Sequence, residues 1–363
     1  MLLGATGAMW VAGYLNPRAP VSIGFLGDLS GRGADIGQAA RDGVILALEE
    51  CNLAGGVQGR HVELLSRDDR QDPQQAKTAM RELLARNVVA VIGPTSNATA
   101  AAVLPLAERD QITLLSPTVG GEGVRGQSGV LFRMYPVAAE SADHLARYIV
   151  RQRGLKRVCL ITNSTNAGYS ASFSKAFADS CLGLGVQSGV VPFDPSPGVS
   201  LAEVARRAIA QRPECVVVLA DAVDSAMICR QLRKLDARLP IALSEWGATH
   251  SLIPIGGRAV DDCFFLSTID RGYTSERFQS FEQQFRRRFG YDSDPAAVNG
   301  YDSARMILLA MSQGTDPSQI KLTLMGMRTF EALQGRISFS EWGDVRRELF
   351  PVIIRNAEFQ ATK

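Results

Sequence analysis

The chain has 363 residues, more than one hydrophobic core usually organises, so the length predicts two lobes. Hydrophobic residues make up 46% and charged residues 21%, the mix of an ordinary globular protein. Lys plus Arg number 39 and Asp plus Glu 37, a net charge of +2, which excludes a strongly basic nucleic-acid binder and an acidic disordered chain.

No charge occurs from Met1 to Pro17, and the stretch from Leu2 to Leu15 is mostly apolar or small. It is too short to span a bilayer as a helix. It is like the apolar part of a secretory signal without the basic start, or the end of a longer anchor. Residues 1–19 are therefore read as a leader or anchor remnant and set apart from the fold. No later segment is long and apolar enough for a membrane helix.

From Val21 the chain alternates. VSIGFL (21–26) predicts a strand and GQAARDGVILALEECN (37–52) a helix. HVELLS (61–66) predicts a strand and PQQAKTAMRELLAR (73–86) a helix that opens on Pro73. VVAVIG (88–93), NATAAAVLPLAERD (97–110) and ITLLS (112–116) continue as strand, helix and strand. Such alternation implies right-handed βαβ crossovers and a parallel sheet. The strands are apolar on both faces, as a sheet covered by helices requires.

A second series follows FRMYP at 132–136. Helices are predicted at 138–152, 170–185, 200–211 and 224–236, and strands at 157–162, 186–193, 215–220, 240–244 and 263–268. A helix-rich tail follows at 275–289, 295–312 and 317–327, and RISFS (336–340) and LFPVIIRN (349–356) end the chain as short strands. Two series of the same kind predict two similar α/β lobes.

Six cysteines stand at 51, 159, 181, 215, 229 and 263, with no CxxC pair, which argues against a zinc ribbon or a thioredoxin-type site. Cys159, Cys215 and Cys263 lie in or beside apolar strand-like runs, which favours buried free thiols, while an even count in an exported protein would permit disulfides. Gly121-Glu122-Gly123-Val124-Arg125-Gly126 matches GxGxxG but leads into a strand-like run, the wrong context for a dinucleotide. A Gly31–Gly37 loop sits between the first strand and first helix but misses that spacing. GxSxG, a Walker loop and HExxH are absent, and His61, His144 and His250 are widely spaced. The sequence thus predicts no catalytic residues, no metal and no cofactor, a binder rather than an enzyme.

Three segments suit binding. Gly93-Pro94-Thr95-Ser96-Asn97 ends a strand and opens a helix, where free N–H groups with Ser96 and Asn97 would hold a carboxylate. Plain N-capping by either residue is the alternative. Ser116-Pro117-Thr118-Val119-Gly120 also ends a strand. Ser244-Glu245-Trp246-Gly247 puts an acid and an indole after the strand PIALS: Glu245 would pair with an ammonium, and Trp246 would wall a pocket or face a cation, a solvated Glu beside a packing Trp being the alternative. All three lie outside the carboxyl ends of strands, where parallel sheets bind ligands.

The segments AGGVQGR and DDRQDP, with AVIGPTSNATAAAVLPLAE, ITLLSPTV, AVNGYDSARMILLA and GRISFSEWGDVRRELFPVIIRN, resemble the leucine/isoleucine/valine-binding family of ABC-transporter solute-binding proteins, from about Val21 almost to the end. The resemblance implies the type I periplasmic binding protein fold: two doubly wound parallel-sheet lobes joined by a three-crossover hinge. It places the crossovers near 133–136, 266–270 and 338–342. One lobe is then 20–134 plus 269–339 and the other 135–268 plus 340–363.

It also implies a small, amino-acid-like ligand, with Asn97 beside Ser96, Thr118 and Gly120 on the carboxylate and Glu245 on the ammonium. The family's aromatic before the second lobe's strand–helix glycine is replaced by Ala167, with Tyr169 two places on, and its first-loop tyrosine by Ile36. Asp221 stands where leucine-binding relatives carry an aromatic, which suits either a second cationic group or a helix cap. The implied role is capture of an amino acid or related small carboxylate in the periplasm or outside the cytoplasm, in soluble or membrane-anchored form. Delivery would be to the membrane permease of an ABC transporter, with no nucleic-acid partner. The same fold as a sensing domain of a receptor or regulator is the alternative.

Overall fold

The computed structural model describes residues 19–31, 33–124 and 129–362. The leader as far as residue 18, Arg32 of the first glycine loop and residues 125–128 of the GxGxxG run lie outside them.

The first series forms β1 (Val21–Gly27), α1 (Ala34–Leu53), β2 (Val62–Asp68), α2 (Pro73–Ala85), β3 (Val91–Ile92), α3 (Asn97–Asp110), β4 (Leu114–Ser116) and β5 (Leu131–Arg133). Its strands make one parallel sheet in the order β2-β1-β3-β4-β5. Helix starts follow local chemistry. Asp72 accepts from the N–H groups of Gln74 and Gln75 with Pro73 in the first turn, and Ser96 accepts from Thr99 N.

The second series forms α4 (Ala138–Arg147), which runs on into a π-helical turn (Tyr148–Gln152), then β6 (Arg157–Asn163), α5 (Ala167–Gly183), β7 (Gln187–Phe193) and α6 (Leu201–Ala210). It continues through β8 (Cys215–Leu219), α7 (Ala222–Leu235), β9 (Ile241–Leu243), a 3₁₀ turn (Glu245–Gly247), α8 (Leu252–Gly256) and β10 (Phe264–Ser267). The tail contributes α9 (Glu276–Phe289), α10 (Pro295–Gln313), α11 (Pro317–Gly326), β11 (Thr329–Ala332), β12 (Gly335–Phe339), β13 (Val345–Arg346), β14 (Phe350–Arg355) and β15 (Glu358–Ala361).

The second sheet runs β15-β14-β10-β9-β8-β6-β7, parallel except for the antiparallel β10–β14 and β14–β15 pairs. Strands β11, β12 and β13 form a small antiparallel sheet. Both large sheets are covered on both faces. One face of the first packs on α1, α9 and α10 through Phe25, Phe281 and Phe285, and the other on α2 and α3 through Leu26, Leu83 and Leu114. The second is sandwiched in the same way, with Phe265 and Phe264 pointing to opposite faces. Helices α1 and α10 touch closely because both lack side chains at the crossing. A Cβ on Gly43 would lie 2.0 Å from Ala297 O, and one on Gly300 would lie 2.1 Å from Ala40 O.

The fold is therefore two doubly wound α/β lobes joined by three chain passages. The chain leaves the first sheet after β5, returns from the second after β10, and passes back between β13 and β14. Strands β11, β13 and β15, and the short α8, are the elements that sequence reading did not anticipate.

Candidate ligand-binding site

A cavity of about 80 Å³ lies between the carboxyl ends of the two sheets. That is several times the roughly 10–15 Å³ one water needs, so there is room for a small molecule. One wall is the start of α3 (Thr95 to Ala98) with Thr118. The other is Thr165, Asn166 and Tyr169 at the start of α5, with Glu245, Trp246, Ala248 and Thr249.

Glu245 comes first among these. The 3₁₀ turn after β9 drives its side chain inward, and it is only 8% exposed. Its Oε1 accepts from Ser267 Oγ at 2.8 Å, Thr268 N at 2.6 Å and Thr268 Oγ1 at 3.1 Å. Its Oε2 is buried and accepts no hydrogen bond of ordinary geometry, the Tyr135 hydroxyl being its nearest donor. Burial raises the carboxyl's pKa, while the Ser267 and Thr268 donors, the nearby Tyr135 hydroxyl and the charge of Arg347 pull it back. A carboxylate held by one oxygen with the other open is arranged to meet a cation or a donor. Trp246 stands edge-on to Tyr169, ring centroids 6.0 Å apart at 79°. With Tyr135 they give the acid aromatic neighbours whose faces suit an ammonium.

On the facing wall the sequence assignments are partly redistributed. Ser96 lines the cavity, but its hydroxyl is engaged as the α3 cap, 2.9 Å from Thr99 Oγ1. Asn97 lines it too, but its side chain is a strut. Oδ1 accepts from Gly121 N at 2.6 Å, and Nδ2 donates to Asn166 Oδ1 at 3.2 Å across the cleft. The backbone N–H groups of Asn97 and Ala98, in the first turn of α3, have no acceptor within the helix and are the groups suited to an anion. Gly93 makes this approach possible: its φ is +115° and a Cβ there would strike Leu26 O at 1.9 Å. Thr118 also lines the cavity, its hydroxyl donating to Thr95 O at 2.8 Å.

Two of the expected site residues lie outside this lining. Asp221 does not line the cavity. It is the N-cap of α7, accepting from Asp224 N at 2.8 Å, because a helix start placed right after β8 needs an acceptor there. Gly120 does not line it either. Its carbonyl accepts from Ala138 N at 2.7 Å, and a Cβ would lie 2.7 Å from Pro136 O, so its smallness serves the chain passage after β5.

Sequence reading missed Tyr135, Asn166, Thr249, Asp294 and Asn299, all in the lining. Asp294 carried a readable signal, an acid directly before Pro295, and does cap α10 by accepting from Ala297 N at 3.0 Å. Asn299 is fully buried, donates to Pro117 O at 3.0 Å and accepts from Arg347 Nη1 at 2.7 Å, which ties α10 to the third passage.

Two consecutive residues bridge the lobes at the cavity's far side. Thr249 Oγ1 donates to Asp35 Oδ2 of α1, and His250 Nδ1 lies 3.4 Å from Asp294 Oδ2 with its ring 4.3 Å from that of Tyr291. Burial pulls the imidazole's pKa down, but the Asp294 hydrogen bond and the charges of Asp294, Asp35 and Asp42 outweigh it and raise the pKa above the ordinary 6.5. A raised histidine pKa gives stability that is complete below the unfolded value and is lost as pH rises through the folded one. His250→Gln is therefore expected to lower the melting temperature most below about pH 6.5, with the two proteins converging as pH rises above that through the raised folded-state pKa. An offset independent of pH would leave His250 with a packing role alone.

Two facing α/β lobes with a cavity between helix starts, part polar and part apolar, define a ligand-binding clamp. The chain belongs to the periplasmic binding protein family, whose sequence model matches residues 20–356. It is 21% identical to the Leu/Ile/Val-binding protein BraC3 of Rhizobium johnstonii, over 92% of this chain and 90% of that one. Among solved structures, the leucine-binding protein LivK of Thermotoga maritima superposes with a TM-score of 0.87 at 23% identity, covering 94% of this chain and 98% of that one. LivJ of Streptococcus pneumoniae, a branched-chain amino acid transporter substrate-binding protein in complex with isoleucine, gives 0.86 at 21% identity, covering 94% and 98%. The family is one of solute binders, not enzymes, and this chain is a solute-binding protein of that family, similar over most of its length to a relative of the Leu/Ile/Val-binding type.

Proposed function

We propose that this protein captures an α-amino acid, or a closely related small carboxylate, outside the cytoplasm and delivers it to the membrane permease of an ABC transporter. The observation that carries this is Glu245, a buried carboxylate with Oε2 unengaged, in the same cavity as the free N–H groups opening α3. One end suits an ammonium and the other a carboxylate, the two charges of a zwitterion. Ile36, Ala248, Pro295 and Ala296 give the remaining wall an apolar stretch for an aliphatic side chain. The amino-acid-binding relatives favour the same reading. No helix among the described residues is long and apolar enough to cross a membrane, and the family's name supports the extracytoplasmic placement.

The lobes are proposed as 20–134 plus 269–346 and 135–268 plus the C-terminal hairpin. This moves the third passage from 338–342 to 347–349, because β13 still pairs with β12. Binding requires only that the ligand prefer the closed arrangement, in which Asn97–Asn166 and Thr249–Asp35 are joined.

The test is a thermal-shift screen on protein unfolded and refolded to strip bound ligand, comparing α-amino acids with the same acids lacking the amino group. A ligand that binds only the folded state raises the melting temperature by mass action. Stabilisation by amino acids alone supports the reading. Stabilisation by des-amino acids to the same extent would remove Glu245 as an ammonium partner.

A further inference from the structure

Outside the ligand site, the second lobe brings two thiols together. Cys229 on α7 and Cys263 immediately before β10 are both fully buried, and their Sγ atoms are 3.9 Å apart. Among the described residues this is the sulfur–sulfur contact. Cys159, Cys181 and Cys215 are buried thiols whose pKa values burial pushes up to about 11, 11 and 12, as expected of inert core residues. Cys263 differs from them. Arg233, one turn along α7 from Cys229, places Nη2 at 4.0 Å from Cys263 Sγ, while the same guanidinium donates to Leu239 O at 2.5 Å and Asp261 O at 3.2 Å.

We propose that Cys229 and Cys263 are a disulfide site, closed by exchange with an external disulfide while the lobe folds and before the pair is buried. The Cys263 thiolate attacks a sulfur of a carrier disulfide, giving a mixed disulfide and releasing one carrier thiolate. The Cys229 thiolate then attacks the Cys263 sulfur and releases the second. The protein loses two thiol protons and two electrons, and the carrier gains both. The sulfurs must approach from 3.9 Å to the roughly 2.0 Å of a disulfide.

The bond would do more than staple a core. It would join α7 to the start of β10, and β10 ends at Ser267 beside Thr268, the two residues that hold Glu245 Oε1. The start of α7 supports the Glu245 turn from the other side: Ser225 Oγ would lie 2.5 Å from a Cβ on Gly247. One covalent link would therefore tie together both supports of the ligand-facing acid. It would also close a loop between residues 34 apart in sequence, which limits the unfolded chain.

Formation in the cell rests on the extracytoplasmic reading above, since reducing compartments keep such pairs open. The test avoids that dependence. The full chain is unfolded with reductant and refolded in a buffer of oxidised and reduced glutathione, and thiols are counted in denaturant. The expected count falls from six to four, with peptide mapping showing one link between the segments carrying 229 and 263. The melting temperature should be higher than that of the reduced protein by about 5–15 °C. C229A/C263A should show no such redox-dependent shift. A count that stays at six, a lasting glutathione adduct, or a link from Cys263 to another cysteine would overturn the proposal. If the double variant fails to fold, mapping of the natural chain still decides it. A ligand screen on the same reduced sample separates failure here from failure of the transport reading.

Discussion

Glu245→Gln is expected to lower the affinity for an amino-acid ligand by about 30-fold to several thousand-fold. The range follows from the roughly 2–5 kcal/mol lost when one member of a buried, hydrogen-bonded charge pair is removed. The substitution keeps the shape and the Oε1 acceptor that Ser267 and Thr268 address, so the lobe should retain its fold. What changes is the charge at the position of Oε2, which accepts no hydrogen bond of ordinary geometry and has only the Tyr135 hydroxyl nearby. The unliganded variant should melt at or slightly above the natural temperature, since a buried acid with a raised pKa is replaced by a neutral amide. Calorimetry on the stripped protein reads the affinity and a thermal scan reads the fold. Unchanged affinity with an intact fold would take Glu245 out of the site. Lost affinity with a collapsed melting temperature would make it a structural residue.

The second large effect concerns the passage out of the first sheet. Arg133, at the end of β5, has a side chain only 1% exposed. Its Nε donates to Asp344 Oδ1 at 2.7 Å, its Nη2 donates to the same carboxylate, and its Nη1 donates to Gly121 O at 2.7 Å. It thereby fastens β5 to the turn between β12 and β13 and to the glycine-rich run after β4. Arg133→Met should lower the unfolding free energy of the unliganded protein by about 3–5 kcal/mol, because it breaks a buried pair and leaves a buried carbonyl without its donor. Asp344→Asn should cost less, since that side chain is 13% exposed and keeps hydrogen-bonding capacity. The double variant should lose less than the sum of the two. Denaturant unfolding measures all three, and strict additivity would show that the pair is not the source of the loss.

The two sites differ in how far the sequence disclosed them. Glu245 and Trp246 were legible because they follow an apolar strand directly, and in a parallel sheet the residue after the strand faces the ligand side whatever the rest of the chain does. The start of α3 was legible for the same reason, although the backbone rather than the Asn97 side chain turned out to be the free donor. Asp221 obeyed the same positional rule, and the sequence left it open between a ligand contact and a helix cap. Capping and ligand contact ask for the same residue type at the same place, and only the hydrogen bond to Asp224 N separates them. Tyr135, Asn166, Thr249 and Asp294 come from four separate segments, and nothing local in sequence says that they meet. Strands β11, β13 and β15 were missed because they are short, partly exposed edge or hairpin strands, with too little apolar patterning to stand out from loop.

By itself the sequence determined the α/β alternation, the two doubly wound lobes and the strand ends that carry the binding loops. Those depend on local periodicity, on helix caps and on long apolar runs, all of which act within a dozen residues. Tertiary structure alone decided which loops face each other across the cleft, which oxygen of Glu245 is left open, and that Cys229 stands against Cys263. These are long-range juxtapositions set by how two separate sheets pack and where three chain passages cross between them, and one-dimensional patterning carries no record of them.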